Sequence, residues 1–169
     1  ANTALFLYWI LFMFTNLGAF TMLWMVRHRK NLWDERYQHP YSKFSGMVKI
    51  MPITATIMAI FMFALAGMPP FSVFWGKLYL LSAAVNAGFI GLAIIIAFNS
   101  AVAVYYYMKV VVYMFLKEPV SNDARLYSTN ASTPLKSIVG FAVMVTVFAI
   151  LFVEPLLNII TKYISVSGF

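Results

Sequence analysis

Two adjacent prolines and one lysine interrupt a long apolar stretch, and they carry the chemistry that is easiest to identify in this sequence. Pro69 and Pro70 have no backbone N–H, so in a helix the carbonyl groups of Leu65 and Ala66 lose their hydrogen-bond donors. Lys77 follows seven residues after the second proline. Freed carbonyl groups in lipid need partners from other helices or from water, so this combination is typical of an ion-transfer site.

Lys77 is the strongest candidate for proton transfer. It lies about 15 Å along a helix axis from the end of its apolar run, which places it near the middle of a bilayer. A lysine at that depth costs ~2.5 to 3.5 kcal/mol, and burial makes a lysine able to gain and release a proton in the physiological range. On a regular helix it shares a face with Pro70, Val73 and Phe74, so we expect the ammonium and the freed carbonyls to line one cavity.

Both features also have structural interpretations. The prolines alone could form a kink used only for helix packing, and Lys77 could pair with a carboxylate that holds helices together. Lys109 is a second and weaker candidate, about 11 Å from the end of its apolar run. It fits either a lysine that snorkels to the membrane surface or one at the mouth of a proton path.

The remaining polar residues of the apolar runs predict less. Asn16 is expected to hydrogen-bond across helices, and Glu154 is expected to be a carboxylate at the membrane interface. His28 and His39 do not form a metal-ligand pattern. We find no serine–histidine pair, no paired membrane carboxylates and no glycine-rich phosphate loop, so the sequence offers no site for covalent or hydrolytic chemistry.

The elements that position these residues are apolar runs long enough to cross a membrane. The 169 residues are 63% hydrophobic and 10% charged, whereas soluble domains are roughly a quarter charged. Residues 5–26 carry no charge, and about 20 apolar residues span a hydrocarbon core of about 30 Å. Residues 53–88 would extend about 54 Å as one helix, so we expect a break at the prolines, where Gly67 permits a sharp turn.

We therefore predict an all-α, polytopic membrane protein with one membrane domain over residues 1–169. It has four transmembrane helices, of which the second is discontinuous at Pro69-Pro70. The predicted spans are about 5–26, 53–87 (broken near 67–70), 89–116 and 138–160.

The basic residues predict the orientation. Nine of the twelve Lys and Arg residues lie in the two loops that follow the first and third spans. Basic loops face the cytoplasm, so we expect both long loops there and both chain ends on the outer side of the cell inner membrane. Aromatic residues near the predicted span ends fit an interfacial belt: Trp9, Trp24, Trp33, Tyr37, Tyr41 and Tyr113.

Composition also excludes several functions. The sequence has no cysteine, so disulfides, thiolate metal sites and iron–sulfur ligation by this chain are excluded. The net charge of +7 is confined mostly to the two loops, so we expect no nucleic-acid partner. The chain opens on "ANTALFLYWILF", with no initiator methionine and no secretory signal, and we expect it to be a piece of a longer protein.

With these residues identified, the sequence resembles the antiporter-like membrane subunits of respiratory complex I, the NADH-quinone oxidoreductase, and most closely the C-terminal part of the bacterial subunit N family. "LAGMPPFSVFWGKLYLL" resembles the family's pattern of small residues, proline, an aromatic stretch and Gly-Lys. "MFTNLGAF" resembles the helix before it and "NSAVAVYYYMKVVVYMFL" the helix after it. The resemblance covers essentially all four predicted spans.

The resemblance implies helices eleven to fourteen of a fourteen-helix subunit. Lys77 then matches a lysine on the central hydrophilic axis of the family's discontinuous twelfth helix, and Lys109 matches a basic residue of its thirteenth helix. It implies a part in coupling quinone reduction to proton transfer, with the other membrane subunits of the complex and the lipid bilayer as partners. This chain is expected to hold no cofactor, whereas the whole complex of this family uses FMN and iron–sulfur clusters, with quinone as acceptor.

Three other functions remain open at this stage. The same helices occur in cation/proton antiporters and in membrane hydrogenases. The ion dependence of transport would distinguish these functions. The protein could be a structural membrane subunit in which Lys77 only forms an ion pair. A small autonomous four-helix channel is the third, and it fits poorly with the expected missing N-terminal part.

Overall fold

The computed structural model describes residues 2–26, 40–119 and 132–167, and within these ranges all regular secondary structure is helical. The prediction of an all-α protein is thereby confirmed. The helices are α1 (Asn2–Met25), α2 (Met47–Ile50), α3 (Pro52–Ala66), α4 (Ser72–Asn86), α5 (Ile90–Leu116), α6 (Thr133–Phe148) and α7 (Val153–Ser167), with 3₁₀ turns at Pro40–Phe44 and Ala149–Phe152. Several sequence-predicted loop and belt residues lie outside the described ranges: Arg27, His28, Arg29, Lys30, Trp33, Arg36, Tyr37, His39 and Arg125.

Three helical stretches of the described residues are long and apolar enough to cross a membrane. They are Asn2–Met25, Ile90–Leu116 and Thr133–Ile164. Helix α3 is also apolar, but its 15 residues extend only about 22 Å. The protein is therefore an integral membrane protein with three candidate spans, and the fourth, discontinuous span stays a prediction.

Helix α3 has defined start and stop signals. Pro52 occupies its first turn, where a missing N–H costs nothing. At the other end Gly67 adopts the left-handed conformation with φ 80°, which a residue without Cβ adopts readily. The Gly67 N–H donates to the Ala64 carbonyl at 2.9 Å and the Met68 N–H to the Phe63 carbonyl at 3.1 Å. This Schellman motif provides donors for two of the last four carbonyl groups.

Helix α1 is the centre of the fold, because α3, α4, α6 and α7 all pack against it. Gly18 allows α3 and α6 to approach α1 closely. A Cβ atom at this position would lie 2.3 Å from Phe61 Cζ and 2.8 Å from Ala142 Cβ. Small residues at helix crossings allow such approach in membranes, where packing rather than hydrophobicity drives association.

Helix α6 extends beyond the start of the last predicted span and is followed by an irregular turn. The span is predicted from residue 138, and α6 begins five residues earlier, at Thr133, with Pro134 in its first turn. The helix tightens to a 3₁₀ turn at Ala149–Phe152 before α7 begins. Pro155 explains this change, because it has no N–H to donate to the Leu151 carbonyl. Glu154 is exposed in the first turn of α7, where the helix dipole favours a carboxylate.

Residues 40–51, which precede α3, pack against the C-terminal end of α5. The Gly46 N–H donates to the Tyr113 carbonyl at 3.1 Å, and Lys49 Nζ contacts both carboxylate oxygens of Glu118 at 2.8 and 2.9 Å. The ion pair is largely exposed and contributes little free energy. The buried side chains of Phe44 and Met47 contribute more, because they pack into the same apolar cluster as Met114.

A buried pair of threonines links α1 to α6. The Thr15 and Thr146 hydroxyl oxygens lie 3.2 Å apart, and Thr15 donates its proton to the Leu11 carbonyl at 2.9 Å, so Thr146 is the donor of the pair. We expect Thr146→Val to destabilise the folded subunit by about 1 kcal/mol, as for other interhelical hydrogen bonds in membranes. Thermal unfolding in detergent measures this. The control is Thr56→Val, whose exposed hydroxyl bonds only its own helix, and an equal loss in both variants would contradict the prediction.

Candidate functional site

Lys77 lies on α4, and its ammonium group reaches back to the C-terminal end of α3. Its Nζ donates to the Leu65 carbonyl oxygen at 3.2 Å and lies 3.4 Å from that of Ala66. These are the two carbonyl groups that Pro69 and Pro70 deprive of helical donors. Together with the Schellman motif, Lys77 gives each of the last four carbonyls of α3 a hydrogen-bond partner.

The turn between α3 and α4 holds the lysine in this position. Gly67 lies directly against it, because a Cβ atom there would be 3.1 Å from both Lys77 Nζ and Lys77 Cδ. Pro69 and Pro70 are exposed and are joined by a cis peptide bond. Position 67 therefore requires glycine for two reasons: the backbone there has a positive φ, and the ammonium group occupies the space that a side chain would take. A larger residue at this position would displace the lysine from the end of α3.

Two cavities meet at Lys77. The first, about 240 Å³, lies between the end of α3, α4 and α5 and is lined by Gly67, Phe74, Lys77 and Ser100 among others. The second, about 310 Å³, lies on the side of α1 and contains most of the nearby polar groups. Its polar lining consists of Tyr8, Lys77, Asn99, Ser100, Tyr106 and Tyr107. Lys77 is thus the one cation of the described residues that lines both cavities, with hydroxyl and amide groups on one side of it.

The second cavity continues along α5 toward its C-terminal end. Tyr106 and Tyr107, whose ring centroids are 4.5 Å apart, line it together with a third cavity of about 190 Å³. The third cavity also contains Asn16 and Tyr41. A series of three cavities therefore runs from the break at Gly67 to Tyr41, with side-chain hydroxyl groups at each junction.

Lys109 does not line the cavities that Lys77 lines. It lies nine residues after Ser100 on α5, or about 14 Å along the helix, and its Nζ stands 4.9 Å from the ring centroid of Tyr41. This cation–π contact places Lys109 near the third cavity, but Lys109 does not line that cavity. The structure thus separates the two sequence-predicted lysines and puts tyrosines between them.

Sequence analysis missed two residues of this site. Tyr8 of α1 lines the second cavity, yet a tyrosine near the start of an apolar helix reads as an interfacial anchor. Gly76 lets α4 approach α1 at that point, since a Cβ atom there would lie 3.1 Å from Tyr8 Cα. The glycine that precedes Lys77 was the available signal, because a glycine inside a helix often marks a close approach.

One polar residue differs from its prediction. Asn16 was expected to bond across helices, but its Nδ2 donates to the Phe12 carbonyl of the same helix at 2.8 Å. The amide reaches its own backbone one turn earlier, which is a common local bond for short polar side chains. No group of three or more potential metal ligands occurs within residues 2–26, 40–119 and 132–167.

Comparison with known proteins gives consistent matches. The transmembrane family described as NADH:quinone oxidoreductase/Mrp antiporter matches residues 1–103. The NADH-quinone oxidoreductase subunit N of Sulfurovum sp. (strain NBC37-1) is 57% identical over 168 residues, 99% of this chain and 34% of that protein. The subunits N of Campylobacter concisus (strain 13826) and Sulfurimonas denitrificans (strain ATCC 33889 / DSM 1251) are 55% and 52% identical, each over 100% of this chain and 34% of its own length. The chain therefore spans about a third of the length of the curated relatives it matches.

Proposed function

Because this chain belongs to the NADH:quinone oxidoreductase/Mrp antiporter transmembrane family, we propose that it forms part of a proton-translocating membrane subunit of NADH-quinone oxidoreductase, in which Lys77 exchanges protons. The observation that carries the proposal is the position of Lys77. Its Nζ lies 3.2 Å from the Leu65 carbonyl at the end of α3 and lines two cavities. Iron–sulfur clusters would be held outside this chain, since its sequence has no cysteine to ligate them.

Two opposing effects act on the charge of Lys77 and support a role in proton exchange. The carbonyl end of a helix carries a partial negative charge that favours a cation, and partial burial disfavours one. With such a balance, a nearby change of charge or hydration moves the equilibrium between ammonium and amine. Water entering the second cavity, whose lining includes hydroxyl and amide groups, would carry the proton toward and away from Nζ.

The proposal includes a fourth span. Helices α3 and α4 have 15 residues each, and in sequence they would form one discontinuous span interrupted between Ala66 and Ser72. Broken helices of transporters are tolerated where the free backbone groups line a cavity, which agrees with the carbonyls that contact Lys77. The distribution of Lys and Arg supports cytoplasmic loops after α1 and α5, with both chain ends on the outer side of the inner membrane.

Lys109 would act at the cytoplasmic mouth of the route. Its ammonium contacts the Tyr41 ring, and the third cavity connects that ring to the tyrosines beside the Lys77 cavity. The role is secondary, because Lys109 can also reach the membrane surface by snorkelling. The other membrane subunits of the complex are the proposed partners.

A sodium or potassium/proton antiporter is the second candidate function, because the matching family also includes Mrp antiporters. Inside-out membrane vesicles that contain the full-length subunit in its complex separate the two functions. We expect NADH-driven acidification of the vesicles to persist when choline replaces sodium and potassium. In the same vesicles Lys109→Gln should lower the rate by no more than about twofold, since Lys109 lies outside the cavities that Lys77 lines and can reach the membrane surface by snorkelling. A requirement for sodium or potassium would favour the antiporter.

A further inference from the structure

A separate cavity lies away from the three cavities near Lys77, where α1 ends and where α3 and α6 begin. This cavity of about 350 Å³, the α1–α3–α6 cavity, is lined mostly by apolar side chains, including Met22, Met25, Ile57 and Val139. Lys136 is the one charged residue in its lining, and Gly140 forms part of its wall. It lies between α1 and α6, which belong to two of the candidate membrane spans.

Among the residues that the structure describes, no carboxylate lies beside the charge at the mouth of this cavity. Lys136 lies in the first turn of α6, where the helix dipole is already positive, and neither that turn nor the first turn of α3 contains an acidic residue. Within residues 2–26, 40–119 and 132–167 the carboxylates are Glu118, which pairs with Lys49, and Glu154, which is 18 residues or about 27 Å farther along the last helices. Lys136 therefore has no carboxylate partner in the part of the chain that the structure describes.

We propose that the α1–α3–α6 cavity binds an anionic glycerophospholipid, with its phosphate on Lys136 and one acyl chain along Met22, Ile57 and Val139. Water does not fill an apolar space of this kind, whereas an acyl chain does. Basic pockets between membrane helices on the cytoplasmic side are suited to anionic head groups. The first turns of α3 and α6 add positive dipoles to the same end of the cavity, which a phosphate would offset.

Photo-crosslinking tests the proposal on the full-length subunit in its complex, reconstituted in nanodiscs. The probes are phosphatidylglycerol and phosphatidylcholine that carry a diazirine in one acyl chain, and peptide mass spectrometry maps the labelled residues. We expect the anionic probe to label residues 139–143 about five-fold more than the neutral one, since one lysine contributes that much to binding at an anionic surface. Excess inorganic phosphate should not compete, because it has no chain to occupy the cavity.

Two matched pairs of variants complete the test. Lys136→Gln should remove the preference for the anionic probe, whereas Lys117→Gln, an exposed lysine at the end of α5, should retain it. Gly140→Leu should fill the cavity and lower labelling by both probes, because nothing lies within 4 Å of a Cβ atom there. Gly91→Leu is its control, an equally open helical glycine outside the cavity. The proposal would be overturned if labelling did not depend on the head-group charge, or did not depend on Lys136. Crosslinks to another protein segment in the cavity would also overturn it.

Discussion

Lys77→Met in the full-length subunit is expected to reduce both the amount of assembled subunit and the proton uptake that it supports. The methionine side chain has no N–H, so the carbonyl groups of Leu65 and Ala66 would lose their side-chain donor at the end of α3. Each unsatisfied buried group costs about 1 to 3 kcal/mol, which is enough to lower the folded population. Immunoblots of membranes measure assembly, and acidification of inside-out vesicles measures proton uptake.

Lys77→Arg is the matched variant that separates the proton from the hydrogen bonds. Arginine keeps a positive charge and several N–H donors but does not release its proton at physiological pH. We expect normal assembly and at least a tenfold loss of proton uptake, since a proton-transfer group contributes about 10² to 10⁴ in rate. Arginine that supports normal uptake would show that Lys77 only caps α3 or pairs with a carboxylate. In that case the subunit would be structural at this position.

Gly18→Leu is expected to prevent the stable packing of α1 against α3 and α6. Its Cβ atom alone would lie 2.3 Å from Phe61 Cζ, and Phe61 is fully buried, so the ring has little room to move. Overpacking usually costs about 1 to 3 kcal/mol, and here the leucine would add three further carbon atoms at the crossing. The thermal unfolding temperature of the detergent-solubilised protein should fall, along with the amount of subunit in the membrane.

The control for this substitution is Gly91→Leu. Gly91 lies in α5 where no atom stands within 4 Å of a new Cβ, so the same chemical change should leave the unfolding temperature nearly unchanged or slightly raised. Equal destabilisation at both positions would mean that the loss comes from the leucine itself rather than from the crossing at Gly18. That result would contradict the packing described for α1.

The sequence predicts local features of this fold better than contacts between distant elements. The chemistry of proline places an interruption at residues 69 and 70, and in the structure α3 ends at Ala66 and α4 begins at Ser72. The last predicted span and α6 start at different residues, because a charge-free run begins after Lys136 whereas the helix begins near its first-turn proline. Hydropathy therefore marks the buried part of a membrane helix, and the turn chemistry marks its ends.

The candidate site also has residues that the sequence identifies and residues that only the packing of the helices reveals. Lys77 stands out in the sequence because a charge in an apolar run is costly, and its spacing from the prolines suggests carbonyl partners. Tyr8 gives no such signal, since it enters the Lys77 cavity only through the packing of α1 against Gly76. Likewise, the polar loop before α3 gave no indication that Tyr41 would contact Lys109. Contacts between residues far apart in sequence depend on how the helices pack, and one sequence does not specify that.

If Lys77 exchanges protons as we propose, its two carbonyl contacts determine which proton leaves. An ammonium group has three N–H bonds and an amine has two. Two donors are enough for the Leu65 and Ala66 oxygens, so the proton that leaves would be the third one, directed away from the backbone. The end of α3 would then keep the same hydrogen bonds before and after release. Proton exchange at Lys77 would need only a rearrangement of water, which is fast, and no slow refolding of a helix end.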